Sequence, residues 1–183
     1  MSLAALIRRV VGHLESAAIA YMITGSVASS YHGEPRATRD LDVVIDPDAR
    51  SLSTLVERLR RDGLYVDAEA ARTALIERSQ FNAVDASTGW KVDFLIRKDR
   101  PFSREELSRR MPADLLGTQA AIATAEDTII AKLEWATGTG SDRQRADVSA
   151  LVEIGRGGLD LDYIDRWTAA LGLRDVWLTL RNP

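Results

Sequence analysis

The segment from residue 21 to residue 46 constrains the fold more than any other part of the chain. It begins with a short apolar run, turns at Gly25-Ser26, and ends in an apolar run that carries Asp40 and Asp42. Alternate side chains of a strand share one face, so these two carboxylates would project together and repel each other. A divalent metal ion would relieve that repulsion. The segment therefore predicts two short strands, with a turn between them and an acidic site on the second strand.

Composition limits the classes of protein to consider. The 183 residues are enough for one domain, or for a compact domain with a helical extension, and 45% apolar residues can form a core. A formal net charge of -3 gives no sign of a general nucleic-acid binder. The sequence has no cysteine, which excludes disulfides, thiolate metal ligands and a cysteine nucleophile. No apolar run is long enough for a signal peptide or a membrane span, so we expect a cytoplasmic protein without membrane contact.

Hydrophobic spacing predicts the elements of the first two thirds of the chain. Residues 3–19 and 48–62 are amphipathic helices, and Ser26 is expected to cap a small helix that runs through Tyr31. Two alternating runs joined by a turn predict a hairpin over residues 81–85 and 90–96. Elsewhere we expect a helix or insertion at 68–77, a charged helix or turn at 103–110, and one further strand within 114–123.

The remainder of the chain has a helical pattern. Thr124 is expected to cap a helix that extends to about Ala136, with Asp127 at the capping-box position. Further helices are predicted at 142–154, 160–171 and 173–180. We therefore predict a catalytic domain over residues 1–123, with a small mixed sheet flanked by helices, and a helical subdomain over residues 124–183.

Three features occur in an order that suits phosphoryl transfer. The Gly25-Ser26 turn offers backbone N–H groups and a helix N-terminus to a phosphate. Asp40 and Asp42 are placed to hold divalent ions between the protein and a triphosphate. Asp93, alone among apolar neighbours on a later strand, would complete the metal site that activates an attacking hydroxyl. This arrangement predicts two-metal phosphoryl chemistry.

These motifs resemble those of the nucleotidyltransferase superfamily with the polymerase β-like fold. The matching segments are Thr24-Gly25-Ser26, Asp40-Leu41-Asp42-Val43 and Val92-Asp93-Phe94. The chain resembles most closely the AbiEii/AbiGii-type nucleotidyltransferases, many of which are toxins of toxin–antitoxin pairs. That resemblance rests on Arg36-Ala37-Thr38-Arg39-Asp40, Lys91-Val92-Asp93, the helix from Glu126 through Lys132 to Leu133, and Arg143 with Asp147. Many relatives carry an acid where this chain has Gln144.

The resemblance implies a Mg²⁺-dependent enzyme that transfers a nucleoside monophosphate (NMP) from a nucleoside triphosphate (NTP) to a hydroxyl and releases pyrophosphate. Its cofactor would be two Mg²⁺ ions, with Mn²⁺ as an alternative. Its partners would be an NTP, a tRNA or protein acceptor, and a cognate antitoxin. Asp40, Asp42 and Asp93 would be the catalytic residues and metal ligands. The nucleotide would be bound by Gly25, Ser26, Lys132, Arg36 and Asp147.

Other interpretations remain open from the sequence. The chain would also suit a non-catalytic nucleotide-sensing or protein-binding member of the fold, or a nucleotidyltransferase that modifies a small-molecule antibiotic. Arg143 and Asp147 are four residues apart, a spacing typical of an ordinary ion pair on a helix surface. The two histidines have no recognisable partner. The four tryptophans, Trp90, Trp135, Trp167 and Trp177, are expected to be core or boundary residues and not a base-stacking surface.

Overall fold

The computed structural model describes residues 2–181. Its strands are β1 (Ala20–Thr24), β2 (Asp40–Asp46), β3 (Tyr65–Val66), β4 (Gln80–Asp85), β5 (Trp90–Ile96), β6 (Met111–Leu115) and β7 (Thr118–Ile122). Its helices are α1 (Leu3–Ser16), α2 (Gly25–His32), α3 (Ala49–Arg61), α4 (Ala68–Glu77), α5 (Pro101–Arg109), α6 (Ala125–Thr139), α7 (Asp142–Ile154), α8 (Leu161–Ala170) and α9 (Arg174–Arg181). The predicted mixed α/β fold with a helical C-terminal part is confirmed.

The seven strands form one mixed sheet in the order β3-β4-β5-β2-β1-β7-β6. The central strand β2 pairs antiparallel with β1 and parallel with β5. This register places Thr24 on one side of Asp42 and Asp93 on the other. The end of β1, the middle of β2 and the middle of β5 therefore meet at one point of the sheet.

The strand predicted within residues 114–123 is β7, and the sequence interpretation missed β6, with which β7 forms a hairpin. The register pairs Leu115 with Thr118, so the turn consists of Leu116 and Gly117 alone. Both have positive φ, 54° and 84°, as a type I′ turn requires. The sequence lacks the usual Asn-Gly signal for this turn, because Leu116 stands in the place of the asparagine and leucine rarely adopts this conformation. Strand β7 then pairs in parallel with β1 and extends the sheet.

The prediction that Ser26 caps the first short helix was wrong. Helix α2 begins at Gly25, its N-cap position is Thr24, and the Thr24 side chain makes no capping hydrogen bond. Instead, the backbone N–H of Ser26 donates to the carboxylate of Asp42 on the neighbouring strand. A carboxylate satisfies a free N–H and complements the helix dipole, so the cap comes from the tertiary fold.

Two groups of buried side chains hold the molecule together. The larger lies against the sheet and includes Leu6, Leu41 and Phe94, whereas the smaller joins α6 to α9 and includes Ile129 and Trp177. The smaller group also takes in Phe102 of α5. The division into domains at residue 123 stays a prediction.

Thr124 caps α6 as predicted, since its side chain accepts from the N–H of Asp127. The buried Asp127 carboxylate also accepts a 2.6 Å hydrogen bond from the Tyr163 hydroxyl of α8. Both histidines have partners that the sequence did not indicate. His13 lies 2.9 Å from the carboxylate of Asp62, and His32 lies 2.7 Å from the carbonyl oxygen of Ala123. Among the helices of residues 2–181, none is long and apolar enough to cross a membrane.

Candidate active site

Strands β2 and β5 bring the three predicted acids to one face of the sheet. Asp42 and Asp93 are direct neighbours in the parallel register, and Asp40 lies two residues before Asp42 on the same face. Lys91 is the register partner of Asp40. Its ammonium Nζ lies 2.9 Å from Oδ2 of Asp93 and 3.9 Å from Oδ1 of Asp40. We call these four residues the acidic cluster.

Gly25 makes the approach of helix α2 to the acidic cluster possible. Its φ is +62°, a conformation that favours glycine, and a Cβ atom at this position would overlap the carboxylate of Asp42. The contact allows the Ser26 N–H to reach Asp42. Any larger residue at position 25 would separate the helix N-terminus from the acids.

Burial and like charge act together on Asp42. Desolvation is the largest cause that raises the pKa of this carboxyl, and the neighbouring charges of Asp93 and Asp40 raise it further. The N–H of Ser26 and the charge of Lys132 oppose the rise in pKa. A cation bound beside Asp42 would relieve the same repulsion.

The donors of the acidic cluster suit a hard divalent cation, because carboxylate oxygens are the ligands that Mg²⁺ prefers. As arranged in residues 2–181, no three acidic or histidine side chains are grouped closely enough to hold one metal ion. The Lys91 ammonium already provides a positive charge between Asp40 and Asp93. Asp42 and Asp93 are neighbours on the sheet face, so their carboxylates fit a divalent cation. The Lys91 ammonium would compete with that cation for the same negative charge.

A second charged group, the basic cluster, consists of Lys132, Arg36, Asp147 and Gln144. Lys132 Nζ donates to Oδ2 of Asp147 at 2.6 Å and to Oε1 of Gln144 at 3.0 Å. Arg36 Nη2 lies 3.3 Å from the same Asp147 oxygen and donates to Oγ of Ser26 at 2.6 Å. Asp147 therefore pairs with residues of other elements, and the alternative of a simple surface pair with Arg143 does not describe its contacts.

The basic cluster is largely removed from water. The Lys132 side chain is 5% exposed, and burial lowers its pKa while the hydrogen bond to Asp147 opposes that change. The Nε atom of Arg36 is buried and has no hydrogen-bond partner. The guanidinium thus has an unused donor close to the N-terminus of α2.

The two clusters face one cavity of about 580 Å³ between the sheet and helix α6. Seven of the predicted site residues line it: Gly25, Ser26, Arg36, Asp40, Asp42, Asp93 and Lys132. The eighth, Asp147, joins them through its contacts with Lys132 and Arg36. The arrangement combines paired carboxylates, a helix N-terminus and two cations around a space of the size of a small ligand.

The cavity also contains residues to which the sequence interpretation gave no role. Trp135 and Glu134 of α6, Leu95 of β5 and Glu106 of α5 line its other end. Arg100 donates to both carboxylate oxygens of Glu134, at 2.7 and 2.6 Å. Helical spacing places Trp135 one turn after Lys132, and this was the available signal that both face the same way. The sequence contained no signal that α5 would line the same cavity.

Glu106 is a buried carboxyl in the cavity wall. Burial raises its pKa to about 7, with the nearby charges of Asp127 and Glu134 adding to the rise, whereas a hydrogen bond from Ser103 and the charge of Arg100 oppose it. The group therefore changes its protonation state near neutral pH.

Comparison with known proteins gives structural likenesses without sequence matches. No model of a protein family matches the chain, and no curated protein is significantly similar to it in sequence. The antibiotic-resistance factor ANT(2'')-Ia is similar in structure, with a TM-score of 0.64, 13% identity, and 96% of this chain and 94% of that chain covered. The lincosamide antibiotic adenylyltransferase LnuA has a TM-score of 0.57 and 11% identity, with 84% and 98% covered.

An antigenic nucleotidyltransferase-like protein from Paracoccidioides brasiliensis is also similar, with a TM-score of 0.58, 14% identity, and 98% of this chain and 91% of that chain covered. These solved structures are similar to this one over 84% to 98% of the chain, at 11% to 14% identity. The protein therefore has the nucleotidyltransferase fold, with its charged cavity between the sheet and helix α6.

Proposed function

We propose that the protein transfers a nucleoside monophosphate from an NTP to a hydroxyl acceptor and releases pyrophosphate. The observation that carries the proposal is the juxtaposition of Asp42 and Asp93 on neighbouring strands, directly below the N-terminus of α2. Lys132 and Arg36 provide positive charge on the opposite wall of the same cavity. A phosphoryl-transfer site needs these two kinds of group, one to hold cations and one to hold phosphate.

The three acids have distinct tasks in this proposal. Asp40, Asp42 and Asp93 would hold Mg²⁺ or Mn²⁺, which supplies the positive charge that polarises the phosphate and favours the alkoxide form of the acceptor. The acceptor oxygen forms a bond to the α-phosphorus as the bond from that phosphorus to the pyrophosphate oxygen breaks. Asp93 is the group assigned to accept the hydroxyl proton, because it lies directly beside Asp42 on the neighbouring strand.

The triphosphate is held by the basic cluster and by α2. The N-terminus of α2 attracts anions through its free N–H groups and its dipole. Lys132 and the guanidinium of Arg36 add charge-assisted hydrogen bonds. Asp147 acts as a positioning residue in this proposal, since it holds both cations on the cavity side.

The acceptor is the second part of the proposal. A cavity of about 580 Å³ supports a small-molecule acceptor, as does the structural similarity to the antibiotic-resistance factor ANT(2'')-Ia and to the lincosamide antibiotic adenylyltransferase LnuA. The tRNA or protein acceptor, the toxin role and the antitoxin partner implied by the sequence resemblance stay predictions. So does the cytoplasmic location.

The experiment is a transfer assay with α-³²P-labelled NTPs, Mg²⁺ or Mn²⁺, and separate pools of aminoglycosides and lincosamides, of tRNA, and of protein. We expect label in one pool, with stoichiometric pyrophosphate release that Asp93→Asn abolishes. The matched control is Asp46→Asn, an acid at the end of the neighbouring strand β2 that pairs with Arg97 and does not itself line the cavity. Nucleotide binding without transfer to any pool would favour a non-catalytic nucleotide sensor, and absence of nucleotide binding would overturn the proposal.

A further inference from the structure

One tryptophan differs from the others in its surroundings. Trp135 is 49% exposed and lines the cavity, whereas Trp177 is fully buried in the helical core. A large aromatic side chain exposed inside a cavity commonly marks a ligand contact. Trp135 is therefore not a core residue, and its exposed side chain borders the cavity.

The sheet contributes two apolar residues to the wall of the cavity. Val44 and Leu95 are register partners on β2 and β5, and both line the cavity. They lie two residues beyond Asp42 and Asp93 on the same face of the sheet, about 7 Å along the strands. We call the part of the cavity lined by Val44 and Leu95 on the sheet and by Trp135 on α6 the slot; the charged side chains of Arg100, Glu106 and Glu134 line the same end of the cavity.

The helix α6 connects the slot to the basic cluster. Trp135 follows Lys132 by three residues, which places both side chains on one face of the helix and separates them by about 4.5 Å along its axis. A nucleotide whose phosphates are bound at Lys132 is therefore long enough to contact the indole of Trp135. The bidentate pair of Arg100 and Glu134 fixes this part of α6 against the start of α5.

We infer that Trp135 is the stacking surface for the base of the nucleotide, with Val44 and Leu95 on the other side of the ring. The inference rests on the proposed function, because it assumes that the triphosphate lies between the two charged clusters. A base has an apolar face and polar edges, which suits a slot that combines the Trp135 indole and two aliphatic side chains with the charged groups of Arg100, Glu106 and Glu134. Stacking uses the face that all bases share, so Trp135 contributes affinity without selecting one NTP.

The test compares two probes, ATP and inorganic tripolyphosphate, by calorimetry on the full chain with Mn²⁺ present. We expect Trp135→Ala to weaken ATP binding by about tenfold or more, the scale of one base–aromatic stack, and to leave tripolyphosphate binding unchanged. Trp135→Phe should recover part of the loss, and CTP should lose affinity in the same direction as ATP. Tyr65→Ala is the control, since Tyr65 is an exposed aromatic residue on β3, away from the cavity.

The outcomes separate this inference from the proposed function. If the wild type binds both probes and Trp135→Ala binds ATP as well as the wild type, the stacking role is overturned while the phosphate site stands. Unchanged ATP affinity together with a raised KM for the acceptor would assign the slot to the acceptor and overturn the inference. If the wild type binds neither probe, the proposed function fails and the stacking role with it.

Discussion

The acidic and basic clusters face each other across one cavity, and each contains a residue of the opposite sign. In the acidic cluster the internal countercharge is Lys91, which lies between Asp40 and Asp93. In the basic cluster it is Asp147, which contacts both Lys132 and Arg36. Both countercharges occupy the position where a substrate or cofactor of the same sign would bind, so each must share its partners when the ligand enters.

The two clusters differ in burial and in construction. The acids project from adjacent strands and are partly open to water, with the Asp40 side chain 52% exposed. The basic cluster joins the loop after α2 to α6 and α7, and the side chains of Lys132, Asp147 and Arg36 are 5% to 22% exposed. Charges in water interact weakly, whereas a buried charge without its partner is costly. The acidic cluster should therefore govern catalysis with little effect on stability, and the basic cluster should affect both.

The largest effect is expected at Asp42. Asp42→Asn should lower NMP transfer by about a thousandfold or more, because it removes a charge that the reaction depends on. The protein should become slightly more stable at neutral pH: a raised carboxyl pKa means that the folded state binds the proton more tightly, so ionisation destabilises it. Transfer assays and urea unfolding at pH 7.5 measure the two effects. A large loss of stability would show that the acids stabilise the fold, and it would contradict the expected difference between the two clusters.

The next effect is on the stability of the basic cluster. Lys132→Met and Asp147→Asn should each cost about 2 to 3 kcal/mol in free energy of unfolding, since each leaves a buried charge with one partner fewer. The double variant should cost less than the sum of the two. Arg61→Met, which removes an exposed pair with Glu57, should cost less than about 0.5 kcal/mol. Additive losses at Lys132 and Asp147 would mean that the two residues act separately.

A pH-dependent effect on stability is expected at Glu106. This residue is an acid, as in the acidic cluster, but it is buried, as in the basic cluster, so it tests whether burial or the sign of the charge determines the loss of stability. Its raised pKa means that the wild type loses stability, relative to Glu106→Gln, as the pH rises from 4.5 to about 7. Above that range the difference becomes constant, and Glu106→Gln should be the more stable protein. Thermal unfolding of both proteins between pH 4 and pH 8.5 measures it. A difference that does not vary with pH would contradict the assigned ionisation.

The smallest effect is expected at Lys91, whose side chain is 37% exposed. Lys91→Met should change the free energy of unfolding by less than about 1 kcal/mol, as for other exposed ion pairs. It should strengthen the binding of Mn²⁺, measured by electron paramagnetic resonance without nucleotide, because the competing ammonium is gone. Lys98→Met, which removes a lysine beyond the end of β5, is the control. Weaker Mn²⁺ binding in Lys91→Met would show that the lysine helps to form the site.

Much of the fold followed from local patterns in the sequence. Helical spacing of apolar residues located most helices, and strand alternation placed Asp40, Asp42 and Asp93 on the correct faces of their strands. The β6–β7 hairpin was missed because its turn is Leu116-Gly117, and the left-handed conformation of a leucine has no sequence signal. The cap of α2 was assigned to Ser26 because sequence reasoning considers only neighbours in the chain, whereas the cap is Asp42.

The sequence by itself determined which side chains share a face, because the periods of helix and strand are properties of single elements. Only the tertiary structure decided which faces meet. The parallel register of β2 and β5 sets Lys91 beside Asp40, and the packing of α6 on α7 sets Lys132 beside Asp147. The same packing leaves Trp135 exposed in the cavity and Trp177 buried. Such contacts depend on how distant elements bury their apolar faces together, and no local pattern in the chain records them.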